Sequence, residues 1–188
     1  MSRLTRLSMP VLVVFMTIGL AWVLLANGAM RDAARPAPDS SGTAVTQLYL
    51  EFAGTPDRAG ALLDQWGARS QERLRKVILL DFDFIPAYVL LLGSLVLMAG
   101  RASNPDSRLS TGLLVGMILA AGALDVIENA AMLAWLADRS PPGAIPFATV
   151  MAAAKWLLLL FAFVAATVKL YRSIRVSPAA PSSPAPGS

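Results

Sequence analysis

The sequence predicts an all-α integral membrane protein, a four-transmembrane-helix bundle with a short helical extracytoplasmic loop, and three observations carry that prediction. Of its 188 residues, 56% are hydrophobic and only 15% are charged, too apolar a balance for an ordinary soluble domain. The apolar residues fall in four long runs, each at or above the roughly 20 residues that a spanning helix needs. Lysine and arginine collect beside the short connections between those runs, which is the charge pattern that orients a chain across a bilayer.

The first run, Met9 to Met30, follows Arg3 and Arg6 and closes residues 1–30. Its length favours a retained signal anchor. The alternative is a cleaved secretory signal ending at the small residues Ala26, Gly28 and Ala29, which would leave three spans in the same orientation. Residues 31–76 form the extracytoplasmic loop. Arg35 to Gly42 has the composition of a disordered segment. Val45, Leu48, Tyr49 and Phe52 then recur at helical spacing and are expected to form the apolar, packed face of a short helix. Thr55, Pro56 and Asp57 next supply an N-cap, a proline for the first helical position and an acid for the first turn. Ala59, Leu62, Leu63 and Trp66 share one face behind them, and Gly67 is the stop. Helices this short need an apolar support, either the membrane surface or the outer mouth of the bundle.

Residues 77–172 make a three-helix transmembrane core, with spans over 77–99, 110–136 and 146–171, and residues 173–188 form a disordered tail rich in Pro, Ala and Ser. Arg3, Arg6, Arg101, Arg108, Lys169, Arg172 and Arg175 mark one side as cytoplasmic, so both termini are expected there, with the chain in the plasma (bacterial inner) membrane. Arg73, Arg75 and Lys76 at the other end of span two oppose this assignment.

The absence of cysteine excludes disulfides, zinc-thiolate sites, iron–sulfur clusters and cysteine nucleophiles. The absence of histidine removes imidazole-held zinc or haem, Ser-His-Asp catalysis and a histidine pH switch. No cofactor is expected, and proton chemistry falls to carboxylates, Lys155, tyrosines or water. The net charge of +4 lies beside the apolar segments, where it meets anionic lipid, and no basic run with interleaved aromatics points to nucleic acid.

Five ionisable residues lie inside the spans: Asp81, Asp83, Asp125, Glu128 and Lys155. Each costs at least about 2.5 kcal/mol to insert at a helix centre, so together they suggest a site. Asp81 and Asp83 lie about two turns or less below the start of span two, Glu128 and Asp125 roughly 12–17 Å below the end of span three, and Lys155 roughly 14 Å below the start of span four. All five fall in the outer half. At 100° per residue, Asp125, Glu128, Asn129 and Met132 share one side of span three, opposite a stripe of Gly112, Gly116 and Ala120 expected to admit a close neighbour. Asp81 and Tyr88 share a face of span two, whereas Asp83 points nearly opposite and is expected to pair with Arg75 or Lys76 near the interface. Lys155 shares a face with Ala148, Ala152 and Ala162, and Pro86 deprives the Phe82 carbonyl of its helical donor.

The expected ligand-binding pocket is Asp81, Tyr88, Asp125, Glu128, Asn129 and Lys155, with apolar walls from Phe82, Phe84, Met132 and Phe161. Four carboxylates against one ammonium cannot all stay charged in a low-dielectric interior, so either protons or a cation make up the difference. A carboxylate-only magnesium, calcium or manganese site has only Asp125 and Glu128 behind it, and no metal is expected. The plainest alternative is that Lys155 pairs with Asp125 or Glu128 and merely fixes helix register. The four tryptophans, Trp22, Trp66, Trp135 and Trp156, read as interfacial anchors, with Trp156 placed to cover the pocket.

Leu80 to Tyr88, Asp125 to Asn129 and Lys155-Trp156, preceded by Glu51 to Pro56 and Gln65 to Gly67, together resemble a group of small uncharacterised bacterial four-span membrane proteins. The resemblance covers about residues 44–160 and implies that these residues belong to one site; it implies no reaction. A looser likeness in span count and intramembrane acids is to sterol-isomerase and sigma-2-receptor-type bundles. The histidine of that isomerase type is absent here, so no residue is carried over. Three functions fit. The first is a binding protein for a small amphiphilic or cationic ligand, or for membrane lipid. The second is a lipid-modifying enzyme using carboxylate acid/base chemistry, and the third a structural or proton-coupled subunit meeting a partner membrane subunit or a second copy of itself.

Overall fold

The computed structural model describes residues 7–35, 46–101, 108–139 and 141–175. Among them the chain is all helix: α1 Met9–Ala34, α2 Gln47–Glu51, α3 Pro56–Trp66, α4 Ala68–Arg101, α5 Arg108–Asp138 and α6 Ala144–Arg175. Four of these, α1, α4, α5 and α6, are long and apolar enough to cross a membrane. In lipid only such internally hydrogen-bonded segments satisfy their own backbone, which is why the apolar runs become helices.

The bundle follows chain order, α1 on α4, α4 on α5 and α5 on α6, with α4 and α6 touching less extensively. α1 buries only Leu12, Gly19 and Ala26, spaced seven residues apart, and leaves most of its side chains outward. Gly19 is the contact point: a Cβ there would lie 2.8 Å from the Leu91 backbone nitrogen.

α4 begins nine residues earlier than the span expected from Val77, because Gly67, at φ 74°, turns the chain directly from α3 into it. Ala68 to Lys76 is therefore helix rather than loop, and the basic residues Arg69, Arg73, Arg75 and Lys76 ride on that extension. α1 likewise runs on to Ala34 and α6 to Arg175. Most of the segment 35–42, Val45 and the tail from Ser177 lie outside the described residues.

α3 forms as its caps dictate: the Thr55 hydroxyl accepts from Arg58 N at 3.3 Å, and Ala59, Leu63 and Trp66 are buried. They pack with Leu50, Leu74, Ile78, Met132, Trp135 and Ile145 into a core that seals one end of the bundle. Trp66 and Trp135 belong to this core and are not interfacial anchors, whereas Trp22 and Trp156 are exposed. Gly54 N donates to Thr149 Oγ1, and Arg139, stacked 5.3 Å over the Trp135 ring, reaches Asp64 on α3 at 3.4 Å.

α2 reverses the expected face. Leu48, Tyr49 and Phe52 are about half exposed, and the buried residues are Gln47, Leu50 and Glu51. Beside a bilayer the outward side of a helix meets lipid and the inward side meets the bundle, so here the polar pair faces in. The Gly112, Gly116 and Ala120 stripe is also reversed: all three are exposed, and nothing lies within 4 Å of a Cβ added at either glycine. Helix α4 instead approaches α5 at Gly122 and Gly100, beside Val89 and Thr111.

Candidate functional site

Beneath the cap formed by α2 and α3, four elements, α2, α4, α5 and α6, contribute polar side chains to one network. From α6, Lys155 Nζ lies 2.8 Å from Asp125 Oδ1 and 2.8 Å from Glu128 Oε2, both on α5, and 3.9 Å from Glu51 Oε2 on α2. Asp125 Oδ2 accepts from the Tyr88 hydroxyl on α4 at 3.0 Å. Asp81 Oδ2, also on α4, accepts from Asn129 Nδ2 at 2.7 Å and from Gln47 Nε2 at 3.2 Å, and Gln47 Nε2 also reaches Asn129 Oδ1 at 2.8 Å. Each of these eight residues is buried; Glu128 and Asn129 are fully so.

The local sequence explains the convergence. Asp125, Glu128, Asn129 and Met132 follow the i, i+3, i+4, i+7 spacing of one α5 face. Asp81 and Tyr88 are seven apart on α4, and Gln47 and Glu51 are four apart on α2. On α6, Ala148, Ala152 and Ala162 are buried alongside Lys155, so small residues bring the backbone close and let the lysine point inward.

All six residues expected from the sequence thus meet in one cluster. Asp83 does not join it: it is exposed and, among the described residues, makes no ion pair with Arg75 or Lys76. Of the expected walls, Met132 is fully buried and Phe84 stacks on Tyr88 with centroids 5.7 Å apart, but Phe161 is 57% exposed and faces away. Gln47 is the member that sequence reasoning missed, and Glu51, which the resemblance grouped with the site, was not among the residues expected to line the pocket. The available signal was their i, i+4 spacing on a helix whose other side is apolar.

The network is closed rather than an open acidic pocket, and its hydrogen bonding is incomplete. Gln47 Oε1, Glu51 Oε2 and Glu128 Oε1 are buried acceptors with no hydrogen-bond donor among the described residues. Lys155 is the one ammonium among these acids, facing Glu51, Asp81, Asp125 and Glu128. Burial pushes the Glu51 carboxyl above its usual range; Lys155 and the Trp156 indole pull it back only in part. Such a site can accept protons or N–H donors, and Lys155 can neutralise or release a carboxylate beside it.

Fold and site together define a four-span membrane protein with a lysine-centred acidic cluster under a helical cap. No protein-family model, curated protein or solved structure matches the chain.

Proposed function

We propose that this is a plasma-membrane protein whose buried acidic cluster, in the outer half of the bundle, binds a small cationic or amphiphilic ligand. The observation that carries this reading is the surplus of acceptors: four buried carboxyl groups face one ammonium, and three buried acceptor oxygens lack donors. A purely structural ion pair needs one acid per base, and an unpaired buried acceptor costs about 1–3 kcal/mol. A ligand bringing N–H donors and positive charge meets both needs.

Orientation follows from the basic residues. Arg101, Arg108 and Lys169 lie at the end opposite α2 and α3, which favours that end as cytoplasmic and the cap as extracytoplasmic. A second reading, a proton-coupled subunit, draws on the close-contact series from Glu128 through Lys155 and Asp125 to Tyr88. Native mass spectrometry of protein extracted from its own membrane separates the two. A co-purifying mass retained by wild type and lost in Glu128→Gln supports the ligand, while identical spectra without added mass favour the proton-coupled reading.

A further inference from the structure

The half of the bundle away from the cap holds a second feature, closed off from the acidic cluster by the contacts among Lys155, Asp125 and Tyr88. An apolar groove of about 200 Å³ runs between α4, α5 and α6, where α4 and α6 touch less extensively than their neighbours do. Leu92, Val96 and Ala99 line it from α4, Ile118 from α5, and Ala162 and Ala166 from α6. Leu95 and Phe163, also in its wall, are 40% and 62% exposed, so the groove opens sideways to the lipid. The Thr167 hydroxyl adds no polarity, because it donates to the Phe163 carbonyl one turn back at 2.8 Å. Lys169 stands at one end. Ala162, Ala166 and Lys169 follow i, i+4, i+7 spacing on one α6 face, and Lys169 Nζ donates to Thr111 Oγ1 of α5, the side chain packed against Gly100 of α4. The three helices that wall the groove therefore meet at a lysine. In sequence this end carries Arg101, Arg108, Lys169, Arg172 and Arg175 against Asp106 alone.

We infer that this groove seats an acyl chain of an anionic phospholipid whose phosphate meets Lys169. Depth supports the assignment. Leu159, at the inner end of the groove, and Lys169 are ten residues apart, about 15 Å of helix, which matches one leaflet of a hydrocarbon core about 30 Å thick. Tyr171, two residues beyond and 53% exposed, has the place of an interfacial aromatic, so Lys169 lies at headgroup depth. The groove runs from there toward the bundle centre, the direction of a lipid chain in the leaflet opposite the cap. Charge complementarity selects the head: a basic pocket between spanning helices at this boundary favours an anionic headgroup. A zwitterionic lipid offers Lys169 the same phosphate but brings a cation of its own to an end already rich in arginine. This site is distinct from that of the proposed cationic ligand, and neither depends on the other.

The test is native mass spectrometry of the full chain, delipidated in detergent and given an equimolar mixture of phosphatidylglycerol and phosphatidylcholine with the same acyl chains. Wild type is expected to retain phosphatidylglycerol about tenfold over phosphatidylcholine. Lys169→Gln, which keeps a donor for Thr111, is expected to lower that preference about fivefold, and Lys169→Arg, which keeps the charge, to preserve most of it. Ala166→Phe puts a ring into the groove and is expected to remove the preferred adduct, with Thr167→Phe in its place should Ala166→Phe lose its cooperative melt. Equal retention of the two lipids by wild type overturns the anionic headgroup. A preference that Lys169→Gln leaves unchanged overturns Lys169 as the headgroup contact. Full retention of the phosphatidylglycerol adduct in the folded groove variant overturns the groove as the seat of the chain.

Discussion

At the scale of single residues, Lys155 decides the electrostatics of the whole cluster. Its ammonium stands 2.8 Å from carboxylates of both Asp125 and Glu128, and all three side chains are buried. Replacing Lys155 with Met leaves these acids without a counter-charge, and a broken buried pair of this kind costs about 3–5 kcal/mol. Denaturant unfolding of Lys155→Met is expected to show that loss, and Lys155→Met combined with Asp125→Asn to recover much of it. Glu51 makes a separate prediction with the opposite partner in control. Its carboxyl is raised above 4.5 chiefly by burial, so above pH 4.5 the unfolded chain has released a proton that the folded protein still holds. Its contribution to stability is therefore present below pH 4.5 and falls as pH rises through the raised value. Thermal melts from pH 4 upward should show this decline in wild type and a flatter profile in Glu51→Gln. Asp81, Asp125, Glu128 and Lys155 were legible in the sequence because a charge inside an apolar run is conspicuous, and Tyr88 and Asn129 because they share a helical face with those charges. Periodicity pointed to neither Gln47 nor Glu51, and only the resemblance grouped Glu51 with the site, because a loop acid ordinarily faces water and only the tertiary position of α2 turns this pair inward.

Among the elements, the cap shows why periodicity alone misassigns faces near a bilayer. In α3 the apolar stripe packs inward, as it would in water, because the stripe lies over Trp135 and Ile145. In α2 the same kind of stripe faces outward and the polar residues face the bundle. The Gly112 and Gly116 stripe fails for a related reason: small residues permit a close approach without requiring one, and α4 uses Gly122 instead. Spans were legible to within a few residues at most ends, but the start of α4 was not, since charged Ala68 to Lys76 carries no apolar signal while remaining helical. Leu63 is fully buried on the inner face of the cap helix α3, so Leu63→Ala is expected to cost about 2–5 kcal/mol. Hydrogen exchange over residues 56–66 should accelerate in that variant before the amides of α5 do. Gly19→Val pushes a side chain into the Leu91 backbone, and disulfide trapping between cysteines introduced on facing positions of α1 and α4 should be lost while α4, α5 and α6 remain packed.

For the whole molecule, the four spans and the side of the membrane are separate matters. Helix number follows from apolar length, whereas sidedness follows from where Arg101, Arg108 and Lys169 lie relative to the cap. Reporter fusions at the C-terminus are expected to be active only in a cytoplasmic reporter. Activity of a periplasmic reporter there would invert the bundle and put the acidic cluster in the inner half. The bundle concentrates its polar cost at one level, closed by α2 and α3. Whether that level is a ligand site or only a helix clamp is decided most directly by the shift in melting temperature that butylamine produces in wild type and in Glu128→Gln. Gln keeps the shape of Glu128 and can still hydrogen-bond through its carbonyl oxygen, and it removes the charge. The ligand reading predicts a folded variant with a cooperative melt, stabilisation of wild type by the amine, and little or none in Glu128→Gln. An equal shift in both proteins, or no shift in either, would contradict it.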